Sequence, residues 1–100
     1  MLIFVYEWAT GGGLVDEPGP LPASLVREGV AMAGALVNDF QRISGCQVTA
    51  FRDPRIVQLT YGSCEIIDIL SSRAHDEEFD RYAAAADATL LIAPEFDGIL

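Results

Sequence analysis

Two glutamates occupy the positions best suited to holding a ligand. Glu7 closes an apolar run over residues 2–6, and Glu95 follows a second apolar run over 88–93. If these runs are neighbouring parallel strands, both carboxylates open at one carboxyl edge, where open α/β sheets bind their ligands. Acids placed there would hold an amine or a hydroxyl through charge-assisted hydrogen bonds. A two-carboxylate enzyme would further require the pair to lie within about 10 Å of each other. The competing reading of Glu95 is that it and Asp97 begin a following helix. Ser24 and Glu28 start a long helical pattern and would face the same rim. Ser24 suits a helix cap better than a ligand contact, and Glu28 beside Arg27 equally suits a solvated face.

Gly11, Gly12 and Gly13 follow the first run. Glycines at such a place let backbone N–H groups approach an anion. The dinucleotide fingerprint nevertheless fails, because Asp16 stands where its third glycine belongs, and no phosphate-loop pattern occurs. The cluster is thus a flexible connector or a ligand-contacting loop. His75, the sole histidine, lies among acids with neither cysteine near it, which predicts a surface residue rather than a metal ligand. Asp76, Glu77, Glu78 and Asp80 lack the glycine and spacing of a calcium loop.

These residues need a scaffold, and the apolar pattern supplies one. Residues 2–6 are continuously apolar and rich in β-formers, as in a strand covered on both faces. From 24 to 43 the steps of three and four through Leu25, Gly29, Met32, Ala33, Leu36, Val37 and Phe40 predict a helix, bracketed by Pro22 and Gly45. Strands are expected over 46–51, 65–70 and 88–93, with residues 55–61 open between strand and irregular chain. A second helix is expected over 75–86, its first turn holding Asp76, Glu77 and Glu78. The fold class is therefore α/β, a Rossmann-like half-domain with about four mostly parallel strands and two helices. Residues 9–22, with four glycines and three prolines, form a long loop. An amphipathic segment starting at Phe96, Ile99 and Leu100 predicts that the chain is truncated inside an element at its C-terminus.

One hundred residues suit one domain spanning 1–100. The net charge of −9, with no lysine, disfavours nucleic acid and anionic membranes as partners. Four arginines meet six acids up to Ser63, whereas two meet nine beyond it, so the acidic field belongs to the last third. No run reaches the roughly 20 apolar residues of a membrane helix, and the N-terminus lacks a signal peptide's basic region. Two cysteines, Cys46 and Cys64, accord with reduced thiols in the cytoplasm.

Four stretches in order carry a resemblance: FVYEWATGGG at 4–13, SLVREGVAM at 24–32, ADA at 86–88 and IAPEFDGIL at 92–100. Together they resemble the N-terminal, pre-ATP-grasp domain of ATP-grasp proteins similar to tyramine–glutamate ligase. Residues 44–74 add no distinctive motif. The resemblance implies an ATP-dependent carboxylate–amine ligase in which ATP activates a carboxylate and an amine attacks it. This domain would border the site of a small amine or amino-acid-like substrate. It implies ATP and Mg²⁺ for the full-length protein, both held by other domains, so that this chain alone carries no cofactor and no activity. It also implies substrate-side roles for Glu7, Thr10, Gly11, Gly12, Gly13, Ser24, Glu28, Glu95 and Asp97, and no catalytic residue. The alternative is a free-standing Rossmann-like module that binds or forms a homo-oligomer without catalysis. On the ligase reading, Glu7→Gln should lower turnover and leave thermal stability nearly unchanged.

Overall fold

The structure is a computed structural model that describes residues 1–57 and 59–93. Four strands form one parallel sheet: β1 (Leu2–Glu7), β2 (Gln47–Arg52), β3 (Glu65–Asp68) and β4 (Ala88–Ile92), in the order β3-β2-β1-β4. Helix α1 (Ala23–Gln41) connects β1 to β2, and helix α2 (Ser72–Ala85) carries the chain from the β3 edge to β4 at the opposite edge. The α/β architecture read from the sequence is the one observed. β1 and β4 pair in parallel from Ile3 opposite Ala88 to Glu7 opposite Ile92. The adjacency on which a shared ligand edge depends is therefore present.

Successive side chains of a strand point to opposite faces, and β1 uses both. Ile3 and Val5 join Val48, Ala50, Ala33 and Val37 in a core beneath α1. Phe4 and Tyr6 join Phe51 and Ile69 in a second core, against which Phe79, Tyr82 and Ala83 of α2 pack. The α1 face is aliphatic and the α2 face aromatic, with Phe4–Phe51 and Phe4–Phe79 centroids 4.8 and 5.5 Å apart.

Helix α1 buries Gly29, Ala33 and Val37, the small side of the expected stripe, while Met32 is left half-exposed at its margin. Ser24 lies inside the helix, and Pro22 occupies the cap position without a side-chain cap bond. The cap expected of Ser24 is therefore absent. Proline serves because the first helical turn has N–H groups to spare. The second helix starts three residues earlier than its apolar pattern indicates, because Ser71 accepts a hydrogen bond from the Ala74 amide at 3.1 Å. This corrects the placing of Asp76, Glu77 and Glu78 in the first turn, which contains no acid.

Among the described residues no helix intervenes between β2 and β3. Ile56, Leu59 and Tyr61 fill the α1-side core from irregular chain instead. Arg52 and Asp68, paired in register across β2 and β3, close this crossover with two bonds of 2.6 and 3.0 Å, and Arg52 also donates to the Leu59 carbonyl. None of the helices among the described residues is long and apolar enough to cross a membrane.

Candidate functional site at the β1–β4 edge

Chain direction around the sheet reverses beside β1: β2 and β3 are laid to one side, and β4 returns to the other. Such a switch point leaves a crevice beyond the strand ends. Here it is a cleft of about 920 Å³ lined by Tyr6 and Trp8 from the end of β1, His75, Asp76, Phe79 and Asp80 from α2, and Leu91, Ile92 and Ala93 from β4.

The cleft contains a chain of hydrogen bonds. Tyr6 Oη lies 2.6 Å from His75 Nε2, and His75 Nδ1 lies 3.1 Å from Asp76 Oδ1. A carboxylate only accepts, so Nδ1 carries the proton and donates to Asp76. In the neutral ring Nε2 then accepts, and Tyr6 donates to it. Burial first, and the charges of Glu7 and Asp76 after it, push the Tyr6 phenol well above its ordinary value and keep its proton on the oxygen. The His75 side chain is only 18% exposed, whereas that of Asp76 is 84% exposed. The ring stacks on Phe79 and meets Tyr6 edge-on. The expectation of a surface histidine is corrected: the α2-side core encloses the ring and Tyr6 supplies its partner. Among the described residues no group of three potential ligands could hold a metal ion.

Glu7 is placed elsewhere. It is 3% exposed and turns to the α1 side, opposite Tyr6. Its Oε1 accepts from the Thr10 amide and hydroxyl, both at 2.8 Å, and its Oε2 accepts from the Ala9 amide at 3.0 Å. The carboxylate thus ties down the turn that follows β1. Gly29 of α1 sits directly on it, and a Cβ at that position would fall inside contact distance of Glu7 Oε1 and touch the Thr10 methyl. The expected rim is in this way divided by the sheet. Glu7 and Thr10 meet α1, where Ser24 and Glu28 are exposed, and the open cleft lies on the Tyr6 face. Glu95 and Asp97 lie outside the described residues.

The glycine stretch is a series of turns rather than a loose connector. Gly11 donates to the Glu7 carbonyl and Gly13 to that of Trp8, each at 2.8 Å. Two of the amides that could have cradled an anion are therefore spent internally. Gly12 has φ of 103° and abuts Ile69 and His75, so a side chain there would be strained and would press on the ring. With no lysine in the chain, these residues do not fit an ATP phosphate site.

The rest of the loop is held by Arg55. Its guanidinium donates to the carbonyls of Leu14, Glu17 and Gly19 at 2.6–2.8 Å. Asp53, fully buried, fixes that guanidinium with bonds of 3.0 and 2.7 Å and itself donates its amide to the Thr10 carbonyl. Burial alone would raise the Asp53 carboxyl, but the hydrogen bonds and charge of Arg55 outweigh it and hold the group below its ordinary value. A depressed native value means the unfolded chain binds this proton first as pH falls. Stability from Asp53 should be complete above about pH 4 and decline as the pH drops through the native value. A series of thermal melts from pH 7 to acid should show this decline, and Asp53→Asn should flatten it. Asp68, lowered by its bond from Arg52, contributes less because water screens its exposed carboxylate.

A profile of the family described as the pre ATP-grasp 3 domain matches residues 46–100, more than half of the chain. The chain belongs to this family. In this pre-ATP-grasp domain the matched span contributes β2, β3, α2 and β4, hence His75, Asp76 and the α2 wall of the cleft, while Tyr6, Glu7 and α1 precede it. Of the four resembling stretches, the last two fall within the span and the first two outside it. No curated protein and no solved structure matches this pre-ATP-grasp domain.

Proposed function

We propose that this pre-ATP-grasp domain is the N-terminal, substrate-side part of an ATP-dependent carboxylate–amine ligase, similar to tyramine–glutamate ligase, working in the cytoplasm. The observation that carries this reading is family membership over 46–100, in a fold whose switch-point cleft lies between β1 and β4. The cleft suits an amine-bearing substrate: Trp8, Phe79 and Leu91 offer apolar surface, and Asp76 and Asp80 offer counter-charge to an ammonium group. ATP and Mg²⁺ are assigned to ATP-grasp domains, which supply the phosphate-binding lysines this chain lacks. The chain by itself would then be inactive.

The test is ATP-dependent hydroxamate formation by the protein together with its ATP-grasp domains. L-glutamate serves as the carboxylate and hydroxylamine as the trapping nucleophile. Hydroxamate that requires both ATP and glutamate supports the reading, and none above background would sink it. A second reading, a non-catalytic module that self-associates, draws on exposed Leu70 and Leu91, the latter on edge strand β4. Sedimentation of the chain as a monomer over a wide concentration range would remove it.

A further inference from the structure

The Tyr6–His75–Asp76 chain has the layout of a proton path. It begins at a phenol in the wall of the cleft, passes through an enclosed imidazole and ends at a solvent-exposed carboxylate. An amine nucleophile reaches a ligase mainly as an ammonium ion, which has no lone pair with which to attack. We propose that Tyr6, His75 and Asp76 form a relay that removes this proton from a primary ammonium substrate bound in the cleft. The proposal rests on the ligase reading given above.

The transfer balances at each atom. One N–H bond of the ammonium breaks and its proton binds Tyr6 Oη, while the phenolic proton passes to His75 Nε2. Tyr6 is neutral before and after, and the imidazole becomes an imidazolium paired with Asp76. The freed lone pair forms the C–N bond to the activated carboxyl carbon as the phosphate leaves, and the second proton lost by the nitrogen departs on that phosphate. The imidazolium then loses its Nδ1 proton to water by way of Asp76. After the product leaves, a proton returns to Nδ1 by the same route while Nε2 gives its own back through Tyr6 Oη to water in the cleft, which restores the starting tautomer. The phenol's reluctance to ionise suits this role, because it passes a proton on without holding a negative charge.

Three aspects of the surroundings favour transfer. Among the described residues the charged groups at the site are Asp76 and Asp80 of α2, with Glu7 behind Tyr6 across the sheet, and all are acidic. Asp16, from the turn after β1, accepts from the Ser72 amide at the start of the same helix and adds a further acid. Among the described residues no arginine lines the cleft to oppose an imidazolium. The ring is also held in place, stacked on Phe79 with Gly12 against its edge.

The test compares two nucleophiles in the intact ligase, ATP-grasp domains included, with L-glutamate as carboxylate. Tyramine is mostly protonated at neutral pH, and hydroxylamine is mostly not. Tyr6→Phe keeps the aromatic packing and removes the hydroxyl. It should slow amide formation with tyramine about 100-fold, within the range of general acid–base catalysis, while hydroxamate formation changes far less. His75→Gln should repeat the pattern, and raising the pH should narrow the gap with tyramine. Equal slowing of both nucleophiles, or of neither, would overturn the relay and leave the ligase intact. Absence of both products in the unaltered enzyme would remove the ligase reading and the relay with it. In the chain itself, ¹⁵N spectra of its sole imidazole should show the proton on Nδ1 at high pH. A proton on Nε2 would overturn the hydrogen-bond chain independently of any activity.

Discussion

Arg55→Ala should lower the free energy of unfolding by about 3 kcal/mol, the lower end of the cost of leaving a buried charge without its partner. Asp53 is fully buried, and Arg55, 31% exposed, is the cation it faces. Removing the guanidinium leaves this carboxylate buried, with the Arg55 amide still donating to it. It also frees the carbonyls of Leu14, Glu17 and Gly19, which can turn to water, so the loop should loosen as the domain weakens. For a chain of this length such a loss corresponds to a fall in melting temperature of about 12–24 °C. Arg55→Lys should recover only part of it, since an ammonium cannot reproduce the guanidinium's fork of donors. Thermal melts, with amide exchange across residues 13–19, would read both effects. A melting temperature unchanged in Arg55→Ala would mean that the pair contributes nothing to the fold.

This clamp shows where reading the sequence stops. The pattern Asp53-Pro54-Arg55 marks a turn, and a turn is what the sequence predicts, yet the carbonyls Arg55 gathers lie about 40 residues upstream. Nothing local announces them. The strands and α1 were legible because their signals are local: a continuous apolar run for β1, a helical stripe for α1. Adjacency of β1 and β4 is a premise that chain order permits without dictating, and the observed register supplies it.

The site was legible only in part. A cleft does lie at the carboxyl edge of β1 and β4, whereas the first helical turn of α2 begins earlier than the apolar pattern indicates because Ser71 caps it. The sequence around His75 gives no sign of its Nε2 partner, because that partner, Tyr6, lies 69 positions away in the chain. One usable signal was nevertheless present. Tyr6 and Glu7 are consecutive strand residues and so must face opposite ways. With both faces covered by helices, Glu7 and Tyr6 could not both open into one cleft.

Glu7→Gln should therefore destabilise the domain, contrary to what a purely substrate-binding carboxylate would do. Both oxygens of Glu7 accept, from the Ala9 amide and from the Thr10 amide and hydroxyl of the turn it caps. An amide in its place offers one oxygen and one NH₂, so whichever way it is turned an N–H or O–H donor of the turn meets another donor. With the group 3% exposed, water cannot relieve that conflict. The expected cost is about 2 kcal/mol, the penalty of an unsatisfied buried donor, read as a melting temperature lower by about 8–16 °C. Gly29 supplies an independent check, because its missing Cβ is what admits the Glu7 carboxylate. Gly29→Ala should destabilise the unaltered chain, since the added methyl must displace the buried carboxylate. In a Glu7→Ala background that methyl would find vacated space, and the same substitution should cost markedly less. The two changes should thus couple by more than about 0.5 kcal/mol, the level at which neighbouring sites depart from additivity. Additive costs, or a melting temperature unchanged in Glu7→Gln, would show that the carboxylate is free to serve a ligand after all.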